Sequence, residues 1–284
     1  KLPDHWMWDH LETRNLAELL HTRYLLQGAG RRQPNEQIGE TVLVRIEADA
    51  SAAPGDRELR LITRNGLTNP LVFQVGTIPE VRELEHNDPD ASSPLPPAKP
   101  LAPPVLVNGQ ILPGDVDRHR FTAKRGRPLV IRVAARSLIP FMADAVPGWF
   151  EAAVAIRDAA GRELAFADHF RFDPDPVLLF DPPADGTYTL EVRDTIDRGR
   201  EDFVYRISID EGPFVTGMVP LGVESGRETA ARLFGWNLAG QTRLLRGERV
   251  GVWPAPADRG LAVAQTIRFE VSPLPSIAEP ADNE

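Results

Sequence analysis

The stretch PPADGTYTLEV, at residues 182–192, indicates the fold more clearly than any other part of the chain. It begins with two prolines and an Asp-Gly turn signal, and its side chains then alternate in character. Because successive side chains of a strand point to opposite faces of a sheet, Tyr188, Leu190 and Val192 share one face. The polar residues between them share the other face. The stretch therefore predicts a strand with one buried and one solvated face, as in a β-sandwich.

Similar strand-like segments recur along the chain, separated by turn residues. Residues 129–133 form a nearly continuous apolar run, residues 203–209 alternate, and residues 158–164 (DAAGREL) indicate a strand, a turn and a second strand. With 27 prolines and 22 glycines between such short runs, the pattern is typical of all-β sandwiches. We therefore predict an all-β fold of tandem β-sandwiches, with one N-terminal α-helix where residues 12–26 follow helical spacing.

Composition narrows the classes of function. The 284 residues allow two to three domains, and 42% apolar residues are enough to form real cores. A net charge of −9 argues against a nucleic-acid-binding surface, which needs a basic stripe. No apolar run reaches the roughly 20 residues of a membrane span. There is no cysteine, which excludes disulfides and thiolate chemistry. The start at Lys1, without Met or signal peptide, leads us to expect a processed or trimmed chain.

Two parts of the chain repeat each other. One offset relates Phe73 to Phe269, Val75 to Val271, Ile78 to Leu274, Pro79 to Pro275, Glu83 to Glu279, and Asn87 to Asn283. Residues 257–261 (ADRGL) also resemble residues 55–59 (GDREL), so we expect them to occupy equivalent strands. A repeat of this kind predicts a longer array of alternating modules, of which residues 274–284 begin another.

The first repeat has its own strand and turn signals. Val42, Val44 and Ile46 alternate with less apolar residues and predict a half-buried strand. Asn65-Gly66 is a strong β-hairpin signal. Together they predict a small β-module before the central domain.

The run ELEHND, at residues 83–88, places three carboxylates and one amide within six residues. Calcium is a hard cation that takes six to eight oxygen ligands, and such a run can supply several of them. The alternative is that these charges form a solvated hinge. His86 and His119 lie nearby in sequence, and we expect them to be bystanders because calcium prefers oxygen.

The central segment resembles the bacterial pre-peptidase C-terminal domain, a family found behind secreted peptidases. The resemblance is carried by residues 114–121 (GDVDRHRF), the turn at 158–164, residues 183–188 (PADGTY) and residues 205–207 (YRI). It implies a jelly-roll-like β-sandwich. It also implies a structural calcium site, whose ligands would be Glu83, Glu85, Asn87, Asp88, Asp115 and Asp117. Which of Asp115 and Asp117 coordinates the ion stays open.

Residues 217–271 show a looser resemblance to bacterial immunoglobulin-like domains of the transcription-factor type (IPT/TIG). Residues 235–238 (GWNL) carry it. The resulting domain prediction has four parts: an N-terminal helix plus an immunoglobulin-like module (1–78), a pre-peptidase-C-terminal-like sandwich (79–212), a second immunoglobulin-like module (213–273), and the start of a truncated repeat (274–284).

No catalytic motif stands out in the sequence. The histidines form no His-Glu-x-x-His metal motif, and no Gly-x-Ser-x-Gly nucleophile elbow is present. Asp168 and His169, with Asp173 and Asp175 nearby, could be drawn as an acid-base cluster, but a polar turn between strands is the more economical interpretation. A peptidase or glycosidase with an unrecognised carboxylate site stays the alternative, since carboxylate separation is a three-dimensional property.

The sequence therefore predicts a non-catalytic scaffold, adhesion or substrate-targeting module of a larger bacterial protein. We expect an extracytoplasmic location: secreted, periplasmic or on the cell surface. The expected partners are other modules of the same parent chain and an extracellular polysaccharide or protein. We expect neither nucleic acid nor a membrane span.

Overall fold

The computed structural model describes residues 19–20, 22–23, 44–84, 99–139, 150–200, 202–238, 240, 242–254, 262–263 and 267–275. The strands in these residues are β1 (Gly55–Leu59), β2 (Ile62–Thr63), β3 (Gly66–Leu67), β4 (Leu71–Val75), β5 (Glu80–Arg82), β6 (Val105–Gln110), β7 (Asp117–Ala123), β8 (Leu129–Ala134), β9 (Ala152–Arg157), β10 (Glu163–Ala167), β11 (Val177–Phe180), β12 (Gly186–Asp194), β13 (Val204–Asp210), β14 (Phe214–Val219), β15 (Gly222–Glu224), β16 (Glu228–Trp236), β17 (Thr242–Arg246), β18 (Gly251–Pro254), β19 (Ala262–Val263) and β20 (Arg268–Ser272). A single 3₁₀ turn, Arg136–Leu138, follows β8 within this part of the chain. The predicted all-β fold is confirmed.

The chain divides into two compact units. The first comprises residues 1–123, 132–178 and 186–208, and the second comprises residues 124–131, 179–185 and 209–284. The predicted domain boundaries stay a prediction, because each compact unit is made of several separate segments and does not define where a module begins.

The central strands form two sheets. One has the order β10-β9-β12-β7 and the other β11-β8-β13-β6-β5. The predicted face of β12 is confirmed: Tyr188 is 5% exposed, while Leu190 and Val192 are fully buried. The strands predicted near residues 129–133, 158–164 and 203–209 also form. The alternation of apolar and polar side chains therefore gives such a strand one apolar face, which a β-sandwich buries in its core.

The loop between β9 and β10 shows how a sequence turn becomes a fixed hairpin. Asp158 accepts backbone hydrogen bonds from Ala160 and Arg162, both 2.9 Å long, and its other oxygen accepts from the Arg162 guanidinium at 2.8 Å. Gly161 has a φ of 77°, a value that glycine adopts without strain. Since an aspartate that caps its own turn is a standard turn device, this loop follows directly from local sequence.

The small β-module before the sandwich agrees only partly with expectation. The hairpin signalled by Asn65-Gly66 forms, with Thr63 opposite Gly66. The predicted strand at Val42, Val44 and Ile46 is wrong in its described part: Val44 and Ile46 lie outside any strand and are 41% and 43% exposed. Val42 lies outside the described residues. Two short apolar side chains in alternation do not make a strand without a neighbour to cover them. The predicted helix falls mostly outside the described residues, although 19–20 and 22–23 are helical.

The repeat is visible in strand pairing. In the first copy Gly55 pairs with Val75, and in the second Gly251 pairs with Val271, at the same offset. Both glycines have positive φ values, 131° and 143°. The strand opposite β20 is therefore β18. Residues 257–261, which were predicted to be equivalent to 55–59, lie outside the described residues, and their equivalence stays a prediction.

The second unit contains two sheets, ordered β17-β16-β14-β19 and β15-β20-β18. A compact core is shared by Met218, Val223, Ala231, Leu245, Phe269 and Val271, all at most 4% exposed. Its immunoglobulin-like character stays a prediction.

Arg206 ties the first β-module to the sandwich within the first unit. Its Nε donates to Gln74 on β4 (2.9 Å), and its two terminal nitrogens donate to the Glu80 carboxylate (2.8 and 3.1 Å) and to Asn108 (2.5 Å). The hydrogen bonds from Arg206 hold the pKa of Glu80 below its usual value. One guanidinium therefore joins strands β4, β5, β6 and β13.

Replacing Arg206 by Met should lower the free energy of unfolding by about 1–2 kcal/mol, since hydrogen bonds from a charged donor contribute that much when partly buried. The measurement is urea denaturation at pH 7. Arg45→Met is the matched control, because Arg45 is 88% exposed in its pair with Glu47. Equal effects of the two variants would show that the Arg206 contacts are not stabilising.

Candidate metal centre

A buried polar cluster lies where residues of both central sheets meet. Glu83 follows β5, Asp117 and His119 lie two apart on β7, and Tyr205 lies on β13. One ligand atom from each of Glu83, Asp117 and His119 falls within 4.8 Å of the others. Since alternate residues on a strand share a face, Asp117 and His119 both point to the interior. The chain thus brings together groups far apart in sequence.

Tyr205 is the hub of this cluster. Its hydroxyl lies 2.5 Å from Glu83 Oε2, 2.7 Å from Asp117 Oδ2 and 2.7 Å from His119 Nε2. The hydroxyl has one hydrogen and can donate to only one carboxylate at a time. A neutral His119 can supply a second hydrogen through Nε2. The phenol therefore serves one of the two carboxylates as a donor at any moment, and Glu83 also accepts the backbone N–H of Gln110 at 2.6 Å.

Burial sets the electrostatics of the cluster. Glu83, Asp117, His119 and Tyr205 are 7%, 0%, 8% and 1% exposed. Burial lowers the pKa of His119 to about 4, so the imidazole is neutral at physiological pH. Burial, and then the charges of Asp117 and Glu83, raise the pKa of Tyr205 well above its usual value, so the phenol keeps its proton. Two buried acids therefore lie beside a neutral phenol and a neutral imidazole.

Gly109 makes room for the cluster. A Cβ atom at this position would lie 2.2 Å from Tyr205 Cζ and 2.3 Å from Glu83 Oε2, closer than any contact tolerates. The next residue, Gln110, donates its backbone N–H to Glu83 Oε1 at 2.6 Å. Strand β6 therefore has a glycine where the carboxylate and the phenol approach its backbone.

The structure sorts the predicted calcium ligands into three groups. Glu83 and Asp117 come together in the cluster. Asp115 is also buried, but its carboxylate accepts from the Leu112 N–H at 3.4 Å in the preceding turn, and it is not part of the three-residue cluster. Glu85, Asn87 and Asp88 lie outside the described residues. The ligand set as a whole stays a prediction.

Sequence reasoning missed Tyr205 and Gly109 and treated His119 as a bystander. Tyr205 lies in the alternating run 203–209, and the structure shows it to be 1% exposed. One sequence signal could have pointed to the cluster. Asp117 and His119 are two residues apart on a strand, which puts both side chains on the same face. The partnership with Tyr205 spans 88 residues from Asp117 and 122 from Glu83, and no local pattern marks it.

The acid-base alternative at residues 168–175 does not assemble. His169 pairs with Asp168 at 2.5 Å, and both side chains are largely exposed. Asp173 accepts the backbone N–H of Asp175, and Asp175 accepts those of Arg136 and Ser137. These carboxylates cap turns, as expected for a polar connection between strands.

The donor set at Glu83, Asp117 and Tyr205 fits a hard cation. Its carboxylate oxygens are of the kind that calcium prefers, and the Tyr205 hydroxyl and one imidazole lie beside them. The short contacts around the phenol also show that these oxygens already lie close together. The residues present are thus compatible with the implied calcium, although three of the six predicted ligands fall outside the described part.

No protein-family model matches the chain. It is 35% identical over 104 residues to a probable subtilase-type serine protease of Deinococcus radiodurans, a match that covers 36% of this chain and 13% of that protein. The chain thus matches only a small part of the length of this relative. Among solved structures, a pre-peptidase C-terminal domain of a collagenase from Bacillus anthracis covers 48% of this chain and 99% of its own, at 11% identity and a TM-score of 0.29.

No helix in the part of the chain that the structure describes is long and apolar enough to cross a membrane.

Proposed function

We propose that this chain is a non-catalytic part of a larger bacterial extracytoplasmic protein, in which it serves as a scaffold, an adhesion element or a substrate-targeting module. Residues 79–212 are the pre-peptidase-C-terminal-like sandwich of that protein, and they hold a structural calcium ion. Other modules of the parent chain, including a protease domain of the kind named for the Deinococcus relative, supply the catalysis.

The buried cluster around Tyr205 carries this proposal. Two carboxylates that are 7% and 0% exposed meet at one phenol hydroxyl. Taking carboxylates out of water is costly without a compensating charge, and a divalent cation would supply that charge. Glu83, which directly follows β5, and Asp117, which begins β7, would hold the ion. Glu85, Asn87 and Asp88, which follow closely in the sequence, are the other proposed ligands from this run.

The proposed role of the ion is to fix the first sandwich strands. Glu83 directly follows β5, and β5 shares Arg206 with the small β-module through Glu80. A cation bound to Glu83 would therefore stiffen the same segment that Arg206 ties to β4. This supports a scaffold whose geometry depends on extracellular calcium, at dissociation constants on the order of 0.1–1 mM.

Calcium should raise the thermal unfolding midpoint. A ligand at a hundredfold excess over its dissociation constant adds about 2.7 kcal/mol, which corresponds to about 5–10 °C for a chain of this size. The measurement is differential scanning calorimetry in excess calcium and in EDTA, on the parent chain and on Glu83→Gln. Glu248→Gln, at an exposed position, is the matched control.

The parent and Glu248→Gln should respond to calcium, and Glu83→Gln should not. A response that survives in Glu83→Gln would place the ion elsewhere. No response in the parent would contradict the calcium site, and the proposed function would then reduce to that of a β-sandwich spacer. Glu85→Ala tests the part of the ligand set beyond the described residues.

A further inference from the structure

Strand β10 is an open edge of the four-stranded sheet. Among the strands that the structure describes, it pairs with β9 alone. An edge strand presents a row of unpaired backbone donors and acceptors, which is a template for pairing with another strand. Three side chains of β10 are exposed, and two of them are apolar: Leu164 is 38% exposed and Phe166 is 48% exposed, beside the charged Glu163. This combination marks the edge as a surface for strand addition.

We propose that the chain forms a homodimer in which β10 pairs antiparallel with β10 of a second copy, about a two-fold axis at Ala165. Such an isologous contact uses the same surface on both copies. The register places Leu164 of one copy opposite Phe166 of the other, twice. Apolar and aromatic pairs directly opposite each other are among the cross-strand pairs that stabilise sheets.

Charge complementarity selects this register. It sets Arg162 of each copy opposite Asp168 of the other. These side chains are 79% and 42% exposed, and within their own chain they also contact Asp158 and His169. A shift of one residue toward the C-terminal end would set Glu163 against Asp168, which places like charges directly opposite each other. The same shift would separate Leu164 from Phe166. Charge and apolar pairing therefore favour one register.

The side chains that flank the edge do not oppose this contact. Glu163 is occupied within its own chain by Arg157, which also binds Glu191. A register irregularity between Glu163 and Ala165 shortens the regular part of β10. Because bulges limit pairing at edges, the dimer is of the weak, concentration-dependent kind. Its interface is at the small end of specific protein contacts.

Charge reversal tests the register. Sedimentation equilibrium of the whole chain should give a mass that rises with concentration from 31.4 kDa toward twice that value. Asp168→Arg should raise the dimer dissociation constant at least tenfold, and Arg162→Asp/Asp168→Arg should restore it. Glu248→Arg, at an exposed position in the second unit, should leave it unchanged. A parent that stays monomeric, or a double variant no better than Asp168→Arg, would overturn the proposal.

A cysteine at the axis gives an independent test that does not disturb Arg162, which also holds Asp158 in the turn. The chain has no cysteine of its own. Residues directly opposite on paired strands have Cβ atoms about 4.5–5.5 Å apart, close to what a disulfide spans. Ala165→Cys should therefore oxidise to a covalent dimer, at least tenfold faster than Ala230→Cys, a change at an exposed position of β16. Equal rates for the two variants would contradict pairing at β10.

Discussion

Replacing Asp194 by alanine is expected to lower the free energy of unfolding by about 3–5 kcal/mol, because it leaves a charged partner behind in a buried pair. Asp194 ends β12 and is fully buried. Its two oxygens accept from Nε and Nη2 of Arg198, each at 2.9 Å. They also accept the backbone N–H groups of Glu151, Ile196 and Arg198 at 3.1–3.2 Å. One carboxylate therefore holds the turn that follows β12 and also holds Glu151, the residue that precedes β9.

The same group predicts a dependence on pH. Burial alone would raise the pKa of Asp194, but hydrogen bonds from Arg198 and from the backbone outweigh it and hold this pKa below its usual value. A carboxylate with a depressed folded pKa stabilises the protein above its unfolded pKa of about 3.9. That contribution is lost as the pH falls through the folded pKa. The difference between parent and Asp194→Ala should be complete at pH 7 and smaller at pH 3.

Urea denaturation at the two pH values measures both effects. The control is Arg193→Ala, which breaks the exposed Arg193–Asp197 pair and should cost less than about 1 kcal/mol. A loss for Asp194→Ala no larger than that of Arg193→Ala would mean that the buried pair contributes little. An equal difference at pH 7 and pH 3 would contradict a carboxylate that is charged in the folded state.

The strands could be predicted from the sequence because their signal is local. The face of β12, the capped turn at Asp158 and the hairpin at Asn65 each depend on residues within a few positions of one another. Val44 and Ile46 show the limit of this reasoning. Their alternation is as regular as that of β12, but a strand also needs a neighbour, and no local pattern says whether one is present.

The candidate site could be predicted only in part for the same reason. Glu83 and Asp117 could be named as candidate ligands because they are acids and because the family resemblance implies a calcium site at their positions. Tyr205, which brings them together, contributes through contacts across 122 and 88 residues. Gly109 contributes because it has no side chain: a Cβ atom at this position would overlap Tyr205. Such dependence on packing has no signature in spacing or composition.

Replacing Tyr205 by phenylalanine should destabilise the chain by about 3 kcal/mol without calcium. The hydroxyl is the common partner of Glu83, Asp117 and His119, and leaving buried charged acceptors without it costs more than losing a neutral hydrogen bond. The ring itself keeps its place on β13, so packing changes little. With saturating calcium the loss should fall below about half, because the cation would then hold both carboxylates.

Urea denaturation of Tyr205→Phe in EDTA and in excess calcium separates the two roles of this residue. Tyr188→Phe is the matched control, since it removes the same atom from another buried tyrosine outside the cluster, and its effect should not depend on calcium. If Tyr205→Phe loses the same free energy in both solutions, the hydroxyl supports packing alone. If the loss is confined to EDTA, the phenol is the group that keeps two acids together until the ion arrives.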